Sequence, residues 1–207
     1  MPNLKLTYFD APGRAEPVRI ALFIAGIPFE DHRIQFPEFM ALKQAGAFPL
    51  GAVPVLEVDG IKMAQTASML RFVAHLGAPD LYPTDAFAAF VVDSVLDSFN
   101  DTLSHALMPS LFERDVEKKL AMRAEFVAGP MKRVFDYTEG LLEKQGGPFL
   151  AGNSLSIADI VVASQILQIR SGHLDGVGAD TLTAYPRLKA LAEAYLAHPK
   201  IVAYRER

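Results

Sequence analysis

A phenol stands near the start of the chain: Tyr8, in Leu4-Lys5-Leu6-Thr7-Tyr8-Phe9, followed after Asp10-Ala11-Pro12 by Gly13-Arg14. Its hydroxyl has one proton to donate and lone pairs to accept with. Taken alone, a tyrosine at a strand end is best read as packing with its hydroxyl in water. Gln65-Thr66 precedes a helical stretch. A helix N-terminus has unpaired N–H groups and the positive end of a dipole, so it can hold a carboxylate. Thr66 can also cap the helix, and the two uses are compatible. Asp97, Asn100 and Asp101 recur at i, i+3, i+4 and share a helix face. Across a two-fold axis such a face can bind a hard divalent cation, but a solvated acidic face is the simpler reading, and no metal is assigned. Ser156-Ile157-Ala158-Asp159 is a Ser-x-x-Asp capping pattern and is read as structural. His75, His105, His173 and His198 have no serine or carboxylate at a spacing that makes a triad. The chain has no cysteine. A cysteine nucleophile, a thiol redox pair, a zinc–thiolate site and a disulfide framework are therefore all excluded.

These residues need elements to position them. Leu4 to Phe9 alternates as a short strand. Asp10-Ala11-Pro12-Gly13 is a turn, and Ala15 to Ala25 a helix with Pro17 in its first turn and Gly26 at its end. Phe29 to Ile34 is a second strand, and a linking segment follows. Val55-Leu56-Glu57-Val58 and Ile61-Lys62-Met63-Ala64 flank Asp59-Gly60, a strong hairpin signal. A helix from about Thr66 to Leu76 buries Met69, Val73 and Leu76. The expectation is a small mixed sheet with one parallel pair and one antiparallel hairpin, covered by helices.

Gly77-Ala78-Pro79-Asp80-Leu81-Tyr82-Pro83 is rich in breakers, and strand signals stop there. It is taken as a boundary between a domain over 1–79 and an all-helical one over 84–207. Phe87, Phe90, Val91, Val95 and Phe99 are expected on one broad face, with Pro109 ending the run. A long helix from Val116 to about Lys144 should kink at Gly129-Pro130. Further helices follow Ser156 and Tyr185-Pro186, the last ending near His198-Pro199.

With 207 residues, 51% of them hydrophobic, the chain can bury a sizeable core and is not disordered. Twenty basic against 24 acidic side chains give a net charge of −4, which does not suit a nucleic-acid backbone. No apolar run is long enough to span a membrane, and the N-terminus lacks the pattern of a signal peptide. A cytoplasmic location is the expectation.

A small α/β domain followed by an all-α domain resembles the cytosolic glutathione S-transferases. Four patterns, in order along nearly the whole chain, carry the likeness. They are Leu6-Thr7-Tyr8-Phe9 with Gly13-Arg14-Ala15-Glu16-Pro17-Val18-Arg19; Val53-Pro54-Val55-Leu56; Gln65-Thr66 before Leu70-Arg71-Phe72; and Gly152-Asn153-Ser154-Leu155-Ser156-Ile157-Ala158-Asp159. The first is similar to the sigma-like class, which includes glutathione-dependent prostaglandin D synthase. The resemblance implies a thioredoxin-like N-terminal domain, a helical C-terminal domain and a homodimer. Glutathione is the implied co-substrate, with no other cofactor.

On that resemblance Tyr8 stabilises the glutathione thiolate. Arg14 lies near the thiol and supports the thiolate or braces the turn, with a surface or interdomain salt bridge as the alternative reading. Val53, before a cis Pro54, pairs with the cysteinyl backbone, and Gln65 and Thr66 hold the γ-glutamyl carboxylate. Asp101 reaches the γ-glutamyl amine of a partner's ligand. Phe39 and Lys43 match positions at the glycine end, where Lys43 is either a carboxylate partner or a solvated surface lysine. The apolar co-substrate side falls to Phe9, Ala11, Gly13, Leu103 and Met108, expected between the domains, and implies a small hydrophobic electrophile. The chain departs from the pattern at three places. Phe39 stands for the usual tryptophan and has no N–H to donate. Ala52 stands for a lysine or glutamine. Ala67-Ser68-Met69 replaces the usual run after Gln-Ser. A glutathione-dependent isomerase and a non-catalytic fold-mate such as a lens crystallin are the rival readings.

Overall fold

The computed structural model describes residues 1–100 and 105–207, which divide into two compact units, Met1–Pro79 and Asp80–Arg207. In the first, β1 (Leu4–Phe9) leads through a 3-10 turn at Gly13–Ala15 into α1 (Glu16–Ile24), and β2 (Glu30–Ile34) follows. Next come α2 (Phe36–Gln44), β3 (Val55–Val58), β4 (Ile61–Met63) and α3 (Thr66–Gly77). The sheet order is β2-β1-β3-β4. β1 runs parallel to β2, with Tyr8 opposite Arg33, and antiparallel to β3, with Leu6 opposite Leu56. Asp59 and Gly60 take φ of 49° and 86°, as a two-residue hairpin turn between Val58 and Ile61 requires. Leu4 and Leu6 of β1 are buried, as are Val18, Ala21 and Leu22 of α1 and Met69, Leu70, Val73 and Ala74 of α3.

The helix α2 lies in what reads from sequence as a linking segment. Its proline sits in the first turn and Lys43 in the last, both favourable placements, but it buries no residue fully, and only Phe39 and Leu42 pack partly buried against the sheet's core.

The second unit is helical. It contains α4 (Ala86–Asp97), α5 (His105–Phe112), α6 (Val116–Phe126), α7 (Lys132–Gln145), α8 (Ile157–Arg170), α9 (Pro186–Ala197) and α10 (Pro199–Arg205). A π-type turn at Val127–Met131 containing Pro130 separates α6 from α7, at the expected kink. Two expectations are corrected. Phe87 and Phe90 are 71% and 65% exposed, while Val91, Val92, Val95 and Leu96 face inward. An element apolar on most sides does not reveal by period which side faces the core. Pro109 lies inside α5 rather than ending it; the helix continues through buried Ser110, whose hydroxyl donates to the Leu107 carbonyl. The chain also forms α10 beyond Pro199, which serves as a first-turn proline.

α8 is the centre of this unit. Ser156 caps it in a full capping box with Asp159. Asp159 accepts from the Leu150 N–H at 2.9 Å, the Ser156 N–H at 2.7 Å and the Ser156 hydroxyl at 2.6 Å. Burial pushes its carboxyl up to about 6, against hydrogen bonds that favour the anion. Asp159→Ala leaves two buried N–H groups without acceptors. It is expected to lower unfolding free energy by about 2–5 kcal/mol, read by urea denaturation, with thiol activation in the surviving folded fraction unchanged.

Candidate functional site

The site builds outward from the end of β1. The Tyr8 hydroxyl accepts a hydrogen bond from the Arg14 backbone N–H at 3.2 Å. That occupies an acceptor position and leaves the phenolic proton to donate. Gly13, with φ of 45°, makes the approach possible: a Cβ there would lie 2.6 Å from the Tyr8 oxygen and 2.8 Å from its Cε1. The Arg14 carbonyl in turn accepts from the Thr66 hydroxyl at 3.4 Å, which ties the turn to the start of α3. Tyr8, Gly13, Arg14 and Thr66 are thus brought together. The Arg14 guanidinium forms no ion pair among the described residues.

At α3 the N-cap is Gln65, not Thr66, and Gln65 makes no side-chain cap bond. Its φ of 76° is a left-handed conformation that a glutamine adopts at a cost. Thr66 is buried and directs its hydroxyl to Arg14 instead of capping. The first-turn N–H groups of α3 are therefore not capped by either side chain, which suits an anion-binding helix end.

The Val53–Pro54 peptide is cis, and both residues are buried. The β1–β3 ladder ends at Thr7 opposite Val55, so Val53 stands beyond it. Around Val53 packs a cluster with Ile34, Phe48 and Val55, flanked by Tyr8, Phe9 and Phe39. Phe39 stacks on Phe48 with centroids 5.6 Å apart and meets Phe9 at 5.2 Å. Phe9 meets the Tyr8 ring edge-on at 5.4 Å. Phe39 thus extends an aromatic column rather than supplying a polar contact. The Lys43 ammonium lies 5.7 Å from the Phe39 centroid, a cation–π distance, at an exposed position.

Other expected residues are not gathered here. Ala11 is exposed on the loop after β1, and Met108 is on α5 of the second unit. Asp101 and Leu103 lie outside the described residues. Asn100 donates its side-chain amide to the Leu96 carbonyl at 2.8 Å, and no metal-holding group of three His, Asp or Glu occurs among the described residues. An apolar cavity of about 370 Å³, walled by Leu56, Ile61, Met63, Met69 and Phe72, holds none of the candidate residues.

One residue not singled out from sequence is Arg19. It is fully buried on α1, yet it carries a charge. The signal available was a lone cation between Val18 and Ile20-Ala21-Leu22, with Glu16 three positions before it.

Comparison with known proteins agrees with this architecture. Residues 4–75 match the family model described as Glutathione S-transferase, N-terminal domain, and residues 100–207 match Glutathione S-transferase, C-terminal domain. Glutathione S-transferase 4 of Caenorhabditis elegans is 34% identical over 181 residues, 84% of each chain. A Caenorhabditis elegans glutathione transferase structure superposes with a TM-score of 0.84 at 30% identity, covering 100% of this chain and 97% of that one. The structure of prostaglandin synthase D of Nilaparvata lugens gives 0.84 at 29% identity, covering 100% and 98%.

Proposed function

This chain belongs to the glutathione S-transferase family, and we propose that it is a sigma-like glutathione transferase that activates the thiol of glutathione through Tyr8. The observation that carries the reading is the Arg14 N–H donated to the Tyr8 hydroxyl, which leaves that hydroxyl as a donor and polarises it toward donation.

Transfer to an electrophile needs a thiolate at neutral pH, and a free thiol has a pKa near ~8.5. Lowering it by about two units takes roughly 2.7 kcal/mol of differential stabilisation. A hydrogen bond to a charged acceptor supplies about 1.5–3 kcal/mol, so one phenol accounts for most of it. The thiol proton passes to solvent. The sulfur lone pair forms a carbon–sulfur bond, and the leaving group departs with its bonding pair. Nothing in this chemistry calls for a metal or an organic cofactor beyond the co-substrate. The uncapped start of α3 at Gln65-Thr66 receives the γ-glutamyl carboxylate. Val53 meets the cysteinyl backbone, Lys43 the glycine carboxylate, and Arg14 the neighbourhood of the sulfur. The apolar Phe9 beside Tyr8 favours a hydrophobic electrophile. As in its family, we infer a homodimer; a cytoplasmic location goes with it. No helix among the described residues is long and apolar enough to cross a membrane.

The test is a glutathione titration of the purified protein at neutral pH, followed by thiolate ultraviolet absorbance. A saturable thiolate signal is expected. Binding without thiolate makes the protein a carrier, and no binding at millimolar glutathione removes the reading. The likeness to the Nilaparvata lugens prostaglandin synthase D favours an isomerase as the second reading. Product analysis separates the two: a transferase consumes glutathione, whereas an isomerase returns it.

A further inference from the structure

We propose that Arg19 is a positioning residue for Tyr8. Its buried guanidinium fixes the loop that aims the Tyr8 hydroxyl proton, an inference that rests on Tyr8 as the thiolate donor. A buried cation is expensive unless it is paired and hydrogen-bonded. Arg19 is 0% exposed. Its Nε donates to Asp31 on β2 at 3.0 Å. Nη1 donates to the Ala11 carbonyl at 2.9 Å, the Pro12 carbonyl at 3.3 Å and Glu16 at 3.3 Å. Nη2 reaches the Phe9 carbonyl at 3.5 Å.

Three of these acceptors are backbone carbonyls of one short loop, between Tyr8 and the Gly13-Arg14 pair that touches its hydroxyl. The planar fork presents donors in fixed directions, so it constrains the path of that loop and does more than neutralise a charge. The guanidinium carbon also lies 5.9 Å from the Tyr8 ring centroid. Asp31 sets the orientation of the fork, and Arg33 holds the other Asp31 oxygen at 2.9 Å. Where the loop loosens, the Arg14 N–H leaves the Tyr8 oxygen. The phenol then rotates, and its proton no longer points at one place. Preorganisation of a donor is what such a site supplies, and misplacement by an ångström is enough to lose it.

Arg19→Lys keeps the charge and removes the fork. Because that variant also removes buried hydrogen bonds that hold the fold, Asp31→Asn is the second: it removes the orienting carboxylate at a partly exposed position and leaves the guanidinium in place. Both are examined by two readouts. The first is hydrogen exchange at the Arg14 amide, which Tyr8→Phe identifies by loss of protection. The second is the pH profile of kcat/KM for an activated aryl halide at saturating glutathione, which reports the enzyme-bound thiol.

The expected result for Arg19→Lys is exchange at the Arg14 amide at least ~10-fold faster. The thiol inflection should rise by about one unit, with KM for glutathione within about threefold of wild type. Asp31→Asn moves both in the same direction by less. A lowered melting temperature with Arg14 protection and the pH profile unchanged makes Arg19 merely structural and overturns the proposal. Loss of Arg14 protection in a protein whose wild type shows no depressed thiol inflection overturns the transferase reading and the catalytic consequence with it. In that case the loop geometry alone is upheld.

Discussion

Tyr8→Phe is expected to lower kcat by about 10–10²-fold at neutral pH and to change KM for glutathione by less than about threefold. The range follows from the bond removed: a hydrogen bond to a charged acceptor is worth about 1.5–3 kcal/mol, and each 1.36 kcal/mol is tenfold in rate. The ring is retained, so the edge-on contact with Phe9 and the packing against the Val53 cluster stay in place. Loss therefore falls on the sulfur rather than on the fold. The direct measurement is the pH dependence of thiolate absorbance in the binary complex. Removing the donor raises the bound thiol toward its free value by about one to two units. Raising the pH should then restore much of the lost rate, because hydroxide supplies the ionisation the phenol no longer favours. A variant with wild-type turnover and an unmoved thiol removes Tyr8 from the chemistry.

The mixed sheet was legible because each of its signals is local. The Leu4–Phe9 alternation, the Asp59-Gly60 turn and the Met69/Val73 stripe each declare an element on their own. The first-turn proline of α1 and the Ser156–Asp159 box mark helix starts in the same way. α2 was not legible, since it buries no side chain fully and its partly buried Phe39 and Leu42 span too short a stretch to declare a helix. Phe87 and Phe90 misled for the opposite reason: most sides of that helix are apolar enough to look like core. At the site, Tyr8 could be picked out by its motif, but the atom that engages it is a backbone N–H, and side-chain identity says nothing about where an amide points. Thr66 looked like a cap because of its type. The left-handed Gln65 ahead of it turns that hydroxyl to Arg14 instead. Arg19 escaped because three of its five acceptors are carbonyls seven to ten residues earlier in the chain, which side-chain identity does not mark, and Asp31 lies on a different strand.

Gly13→Ala separates the geometry of the donor from its presence, and its expected effect approaches that of deleting the hydroxyl. The methyl group would sit 2.6 Å from the Tyr8 oxygen and 2.8 Å from Cε1, both inside van der Waals contact. The clashing atoms are the far end of a side chain, so relief comes by turning the phenol away rather than by unfolding. The backbone adds a smaller cost: at φ of 45° an alanine is disfavoured by about 1–2 kcal/mol. Stability should fall by roughly that amount, while kcat falls by about 10–10²-fold as the proton loses its aim. The decisive comparison is the double variant. If Gly13 acts through the Tyr8 hydroxyl, Gly13→Ala adds less than about threefold to Tyr8→Phe, because no hydroxyl remains to be displaced. Full multiplication of the two losses would mean that Gly13 serves the reaction by another route, such as space for the ligand itself. Wild-type turnover in Gly13→Ala alone would show that the phenol donates equally well from a different position, and the Arg14 N–H would then have no part in aiming it.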